Sequence, residues 1–373
     1  MRYYLAPLEG ITGYIFRNAH TRLFTSADKY FSPFLVPKPN SGKQFSAKEK
    51  ADILPEHNQN IHLVPQIMTN KATDFIAMTK ALEEYGYQEV NLNLGCPSRT
   101  VVTKGRGAGF LSDPETLQFF FDEVFREIKI KISVKTRIGL EHAEEFQDLL
   151  SVYNQFPFEE LIIHPRVQCM YYNGTPDMET FAYACQNSKN SLCYNGDLFR
   201  KADFERFREQ YPKVPAVMFG RGVLANPELI GEIKGKNAMD KRRFRVFHDC
   251  IFEAYREAFQ DDKNAMFKMK EFWYYAADMF TASSKYAKKI KKTKSVSTYE
   301  ETVAQLFDEQ ELIAGPCSGS SISSRRSRPI SASHILNGSA FGEGIDWIRR
   351  NNCSTSATSV KRILPSEACI FNW

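Results

Sequence analysis

The feature that most constrains the fold is an alternation. Across roughly the first 235 residues, eight short apolar or β-branched runs are separated by amphipathic stretches. The runs lie at 3–6, 30–36, 62–67, 89–93, 132–136, 161–164, 192–195 and 216–219. Helical patterns fill 72–85, 114–125, 143–153 and 201–211. Asp113 before Pro114 reads as an N-cap followed by proline at the first helical position, and Asp203 is the candidate cap of a later helix. Strands that alternate with helices build parallel sheets, and eight such units predict an α/β fold of the (β/α)8 TIM-barrel type over residues 1–236.

From about residue 237 the strand signal stops. Phe244, Phe247, Ile251, Tyr255, Phe267, Phe272 and Tyr275 recur at helical spacing, which predicts a small all-helical domain over 237–312. Within it, six lysines fall in ten residues between Lys285 and Lys294. Such a run is either a solvated helix face or a phosphate-contacting surface. After Leu312 the chain turns Ser- and Arg-rich without periodicity, so 313–373 reads as a low-order tail to which no role is assigned. That tail holds seven Arg or Lys against three acids, so most of the net charge of +5 sits there and any nucleic-acid partner of the rest must be met by local patches.

Composition narrows the class. Hydrophobic residues make up 43% and charged residues 25%, ordinary for a soluble globular chain. No stretch approaches the ~20 apolar residues of a membrane span, and the first seven residues turn polar too soon for a signal peptide. A cytoplasmic monomer without membrane contact is expected. The eight cysteines form no CxxC pair and no metal-ligand spacing, so neither a disulfide framework nor a bound metal is expected.

Active sites of TIM barrels lie where the strands end. Seven of the eight runs close there on polar or glycine-bearing segments: Pro7-Leu8-Glu9, Gln66, Asn93 to Cys96, Lys135 to Arg137, His164 to Arg166, Asn195-Gly196-Asp197, and Gly220-Arg221. Asn195-Gly196-Asp197 is by itself only a turn signal. After strands seven and eight, however, glycine and Arg221 suit a phosphate. Lys135 in the barrel mouth needs a carboxylate, or else a ligand anion or an electron-rich ring. Cys96, between Gly95 and Pro97 with Asn93 nearby, is either a small buried thiol or a proton donor.

In this order, the turn Ala6-Pro7-Leu8-Glu9-Gly10-Ile11-Thr12 with Phe16-Arg17, then Gln66, Asn93-Leu94-Gly95-Cys96-Pro97, Lys135-Thr136-Arg137, His164-Pro165-Arg166, Asn195-Gly196-Asp197 and Gly220-Arg221, resemble the tRNA-dihydrouridine synthases over about residues 3–312. The resemblance implies FMN held by Pro7, Leu8, Glu9, Gln66, Lys135, His164, Asn195, Gly196, Asp197, Gly220 and Arg221. It implies NADPH as electron donor and tRNA as substrate. Cys96 matches the family's proton donor to C5 of uracil, and Asn93 a position that holds the target base. Arg137, Arg166 and Lys104 are the candidate contacts to substrate, and the helical domain would carry tRNA contacts. Gly13 departs from a usual Asp, Pro165 from a small residue, and Arg106 interrupts a glycine-rich stretch. Two rivals are a dihydroorotate-dehydrogenase-like enzyme acting on a free pyrimidine, and a barrel that binds RNA without catalysis.

Overall fold

The computed structural model describes residues 1–38 and 44–313. The expected tail therefore lies outside the described residues, apart from Ile313. Nine strands are present: β1 (Arg2–Leu5), β2 (Lys29–Phe31), β3 (Leu63–Val64), β4 (Gln66–Ile67), β5 (Glu89–Leu94), β6 (Lys131–Arg137), β7 (Leu161–His164), β8 (Leu192–Tyr194) and β9 (Ala216–Phe219). They run in the order β3-β2-β1-β9-β8-β7-β6-β5-β4, and each ladder between them is parallel. Pro65 has no N–H to give, so it splits one run into β3, which pairs β2, and β4, which pairs β5. Its carbonyl still accepts the Asn91 N–H at 2.9 Å. Nine strands thus fill eight positions of a ring, the TIM barrel expected from the alternation. The second run is shorter than its composition suggested, because Pro33 ends the ladder just after the Ser32 N–H reaches the Val64 carbonyl at 3.1 Å.

Side chains alternate along each strand. Tyr4, Phe31, Val64, Ile162, Cys193, Ala216 and Met218 fill the barrel interior as one buried cluster. Leu5, Val90, Leu92, Val134, Leu161, Ile163, Val217 and Phe219 point out and are buried in the larger core. At the floor, where the strands begin, Lys29 sits between Glu89 at 2.7 Å and Glu160 at 3.2 Å. Glu160 also pairs with Arg2 at 2.7 Å and accepts the Tyr4 hydroxyl. A buried lysine is tolerated here because two carboxylates face it.

Local details follow from single residues. The Asp113 carboxylate accepts the Thr116 N–H at 3.0 Å, as an N-cap should. Asp203 acts differently from expectation. It is the third residue of helix Lys201–Gln210, and its carboxylate reaches back to the N–H groups of Phe199 and Arg200 at 3.2 and 2.9 Å. The pattern at 143–153 divides into a 3-10 turn, Ala143–Glu145, and an α-helix, Phe146–Tyr153. Helix α1 (Tyr14–Leu23) starts after Gly13, which offers no cap, and Asp52 from a separate helix accepts the Tyr14 N–H at 2.6 Å instead.

Beyond the barrel come α2 (Lys241–Phe259), α3 (Asp262–Ala276), α4 (Ser283–Lys292) and α5 (Val296–Glu309). The expected boundary at 236/237 falls in the loop between helix Leu229–Ile233 and α2. Phe247 of α2 meets Phe16 and Phe24 edge-on, at 5.5 and 5.0 Å, so α2 packs on α1. Phe244, Phe247, Ile251, Tyr255 and Phe272 are buried as the periodicity required. Phe267 is not. It stays 38% exposed, while α3 buries Ala265, Met266, Met269, Phe272, Trp273 and Ala276.

The floor cluster yields a stability prediction. Lys29→Met leaves Glu89 without its cation and is expected to cost about 3–5 kcal/mol. Urea unfolding measures it, and a loss under about 1 kcal/mol, the worth of an exposed pair, contradicts the assignment.

Candidate active site

The same two-residue alternation brings Gln66, Asn93, Lys135, His164 and Asn195 to the inner upper rim, where the strands end. Asn93 is the splice between rim and loop. Its Nδ2 donates to Gln66 Oε1 at 2.7 Å, and its Oδ1 accepts the N–H groups of Gly95 and Cys96 at 3.0 and 2.9 Å. Gln66 donates in turn to Asn91 at 2.7 Å, and Asn91 to Ser133 at 3.0 Å. Cys96 is thereby fixed just outside β5. The glycine-rich stretch packs directly on it. The Ala108 N–H donates to the Cys96 carbonyl at 3.1 Å, and a Cβ on Gly107 would lie 2.9 Å from Cys96 Cβ. Gly107 also holds φ at +55°, so glycine is required there twice over.

The thiol is half-buried, and burial raises its pKa above the usual value. The Ser98 N–H and the charges of Arg137 and Lys135 oppose this without reversing it. At neutral pH Cys96 is a protonated thiol, an acid in waiting and not a resting thiolate.

Lys135 contrasts with Lys29. Among the described residues, no carboxylate lies within ion-pair distance of its Nζ. Burial, then the Arg137 charge, lower its pKa to about 8. His164 is also held well below its usual pKa, by burial and by Arg137, Lys135, Arg166 and Arg221. Its Nε2 lies 3.0 Å from an Arg166 nitrogen. Arginine only donates, so Nε2 accepts and the ring proton sits on Nδ1. The imidazole is neutral, with one N–H to offer.

Three arginines assemble the rim. Arg137 donates to the carbonyls of Gly95, Val167 and Tyr171 at 3.0, 2.9 and 2.6 Å. Arg166 donates to Asn173 and Gly174 carbonyls at 3.1 and 2.7 Å and grips Asp197 with two nitrogens, at 3.0 and 2.5 Å. Arg221 takes the same Asp197 at 2.5 Å and leaves its other buried terminal nitrogen without a hydrogen-bond partner. Arg137 and Arg166 were expected to face substrate. Their guanidinium groups are buried and bind loop carbonyls and, for Arg166, Asp197, which makes both of them positioning residues of the rim. Lys104 is exposed; its backbone N–H donates to the Val101 carbonyl at 3.0 Å and its own carbonyl accepts from Asn70 at 3.2 Å. Glu9 is exposed and pairs with Lys48 at 3.0 Å. Pro7 and Leu8 form a turn closed by the Leu8 N–H on Thr12 Oγ1 at 2.8 Å. Asn195 donates across to the Met218 carbonyl at 2.8 Å. Gly220 lies against Ala6 and Leu8, and a Cβ on Gly196 would collide with the Tyr194 ring.

One rim residue escaped the strand-end reading. Tyr172, in the loop after β7, is 39% exposed. Arg221 lies 4.7 Å and Arg137 5.5 Å from its ring centroid, and His164 stacks near it at 5.9 Å. The aromatic pair Tyr171-Tyr172 before Asn173-Gly174 was the available signal.

The mouth therefore combines an unpaired ammonium, a neutral imidazole, a free guanidinium nitrogen and a protonated thiol beside backbone-lined loops. Similarity to known proteins agrees with that chemistry. The profile of the dihydrouridine synthases (Dus) matches residues 4–318.

The chain belongs to the dihydrouridine synthase family.

Relatives are distant. The tRNA-dihydrouridine synthase B of Pasteurella multocida is 25% identical over 230 residues, covering 61% of this chain and 67% of that protein. A probable tRNA-dihydrouridine synthase of Rickettsia bellii is 25% identical over 232 residues, covering 61% and 69%. One from Staphylococcus epidermidis is 26% identical over 241 residues, covering 60% and 69%. Among solved structures, morphinone reductase aligns with 64% of this chain and 87% of its own at a TM-score of 0.47 and 14% identity. As a dihydrouridine synthase the chain is an oxidoreductase, so the barrel mouth is the place to seek its active site. No helix among the described residues is long and apolar enough to cross a membrane.

The unpaired Lys135 has a measurable consequence. In the folded protein it releases its proton near pH 8, in the unfolded chain only near its usual 10.5. Between those values the unfolded state binds the extra proton, so this residue's contribution to stability rises with pH from 8 to 10.5. Below pH 8 the buried ammonium costs up to about 3 kcal/mol. Lys135→Met is expected to stabilise the ligand-free protein at pH 7 by part of that amount, with the gain gone by pH 10.5. A variant less stable than the parent at pH 7 contradicts the unpaired-cation reading.

Proposed function

We propose that this chain is a tRNA-dihydrouridine synthase that reduces the C5–C6 double bond of uridine in tRNA, using FMN reduced by NADPH. The observation that carries the reading is the unpaired Lys135 beside the protonated Cys96. A buried cation without a carboxylate fits an electron-rich ring or anion that arrives with a ligand, and the thiol fits protonation of carbon. The free Arg221 nitrogen and the turns at Asn195-Gly196-Asp197 and Gly220-Arg221 fit a phosphate of the cofactor. Pro7, Leu8, Glu9, Gln66 and the His164 N–H complete the proposed flavin contacts.

A reduced flavin supplies the hydride for C6 of uracil. Cys96 donates the proton that C5 needs as negative charge develops there. Lys135 stabilises negative charge on the flavin or the uracil carbonyls, and more strongly because it is desolvated. Asn93 holds the Cys96 loop through Oδ1 and keeps its remaining amide hydrogen for the base. A uridine in folded tRNA must leave its stack to reach the mouth, so its lost stacking has to be offset by protein contacts elsewhere. Lysines 285, 288, 289, 291, 292 and 294 are all exposed, and among the described residues none forms an ion pair. That surplus favours phosphate contact over a merely solvated face and argues against a free-pyrimidine enzyme.

An absorption spectrum under anaerobic conditions tests the activity. A flavin spectrum that bleaches with NADPH and recovers with unmodified tRNA, but not with orotate or free uracil, is the expected result. Recovery with orotate moves the chain to free pyrimidines, and absence of flavin refutes the reading. For the lysine face, the combined variant K288Q/K289Q/K291Q/K292Q is expected to weaken tRNA binding. The dependence of log Kd on log salt is expected to flatten by about 0.7–0.9 for each phosphate that no longer meets a lysine. An unchanged slope contradicts phosphate contact.

A further inference from the structure

The exposed ring of Phe267 is not explained by packing or by the reaction. Helical neighbours three, four and seven residues apart share a face. On α3 this places Lys263, Phe267, Lys270 and Tyr274 along one stripe. Phe267 is 38% exposed and Lys263 is exposed. The Lys270 ammonium lies 4.5 Å from the Phe267 ring centroid, and it also donates to the Thr293 carbonyl. Thr293 is flanked by Lys292 and Lys294, so the stripe joins the lysine-rich end of α4.

The adjacent stripe of α3 faces the barrel mouth. A Cβ on Gly10 would stand 2.9 Å from Glu271 Oε2 and 3.4 Å from Lys268 Nζ, so both residues abut the turn after β1. Tyr275 lies within electrostatic reach of Tyr172 and Arg221. Phe267 thus stands between the lysines of α4 and the rim, on the side of α3 next to the rim-facing residues. A basic surface with an aromatic ring set among its lysines suits a nucleic acid whose base is unstacked. Phosphates meet the cations, and the base lies on the ring.

We propose that Phe267 is a stacking platform for an unpaired nucleotide of the substrate RNA, a second grip outside the active site. This rests on the tRNA reading above and adds a specific contact to it. A ring held by Lys270 is fixed in place before binding, so stacking orders little that was free.

Binding of the full-length protein to unmodified tRNA, and to a blunt RNA duplex of similar length, is the test. Phe267→Ala is expected to weaken tRNA binding by roughly 5- to 150-fold with the salt slope unchanged, because every lysine still meets its phosphate. Phe267→Trp is expected to restore affinity, and duplex binding is expected to be the same for all three proteins. Unchanged tRNA affinity in Phe267→Ala, while the wild type binds tRNA, overturns the platform alone. Equal weakening toward the duplex, or failure of Phe267→Trp to rescue, also overturns it by making Phe267 a structural residue. A wild type that binds no tRNA overturns the substrate reading together with this one.

Discussion

Arg137 is the joint on which the mouth of the barrel depends. Its guanidinium sits at the end of β6, 1% exposed, and spends its donors on three carbonyls from two different loops. One of those loops carries Cys96. The other carries Arg166 and Tyr172. A planar fork with several fixed donors can bind three carbonyls at once, which a lysine ammonium on a flexible stem would not do with the same rigidity. Asn93 adds the second fastening, on the loop's N–H groups. Cys96 is therefore placed by the end of the barrel itself, and Gly107 lets the glycine-rich stretch close over it.

The two ends of the barrel interior handle a buried lysine in opposite ways. At the floor, Lys29 has two carboxylates within ion-pair distance, and its charge is balanced. At the mouth, Lys135 has none, and its neighbours are the Arg137 charge and a neutral His164. Burying charge without a partner is unfavourable. Its persistence at one end only marks that end as the place where a partner arrives with a ligand. Burial, reinforced by the same cationic surroundings, holds His164 neutral, and burial keeps the Cys96 thiol protonated. The mouth is thus set to accept negative charge and to give up a proton.

Much of this was legible from period and punctuation. The eight apolar runs, the polar residues that close them and the helical stripe of α2 all lie where two- and 3.6-residue repeats put them. What the sequence hid was partnership. Nothing in the letters says that Arg137 binds three loop carbonyls, or that Arg166 spends its donors on two carbonyls, His164 and Asp197. Asp52, far along the chain, supplies the cap that Gly13 lacks. Pro65 was visible, but its effect, one run serving two neighbours as β3 and β4, follows only from closure of the ring. Phe267 was grouped with Phe272 and Tyr275 as apolar, but no buried residue of α3 lies three, four or seven positions from it, so it falls on the face opposite the core.

The central claim is that Cys96 is the acid of a reaction whose charge Lys135 supports. Single-turnover reoxidation of the reduced flavoprotein by unmodified tRNA, compared between wild type and Cys96→Ala, tests it most directly. The predicted result is intact flavin and tRNA binding with reoxidation slowed by about 100-fold or more. A Cys96→Ala protein that reoxidises at the wild-type rate would contradict it.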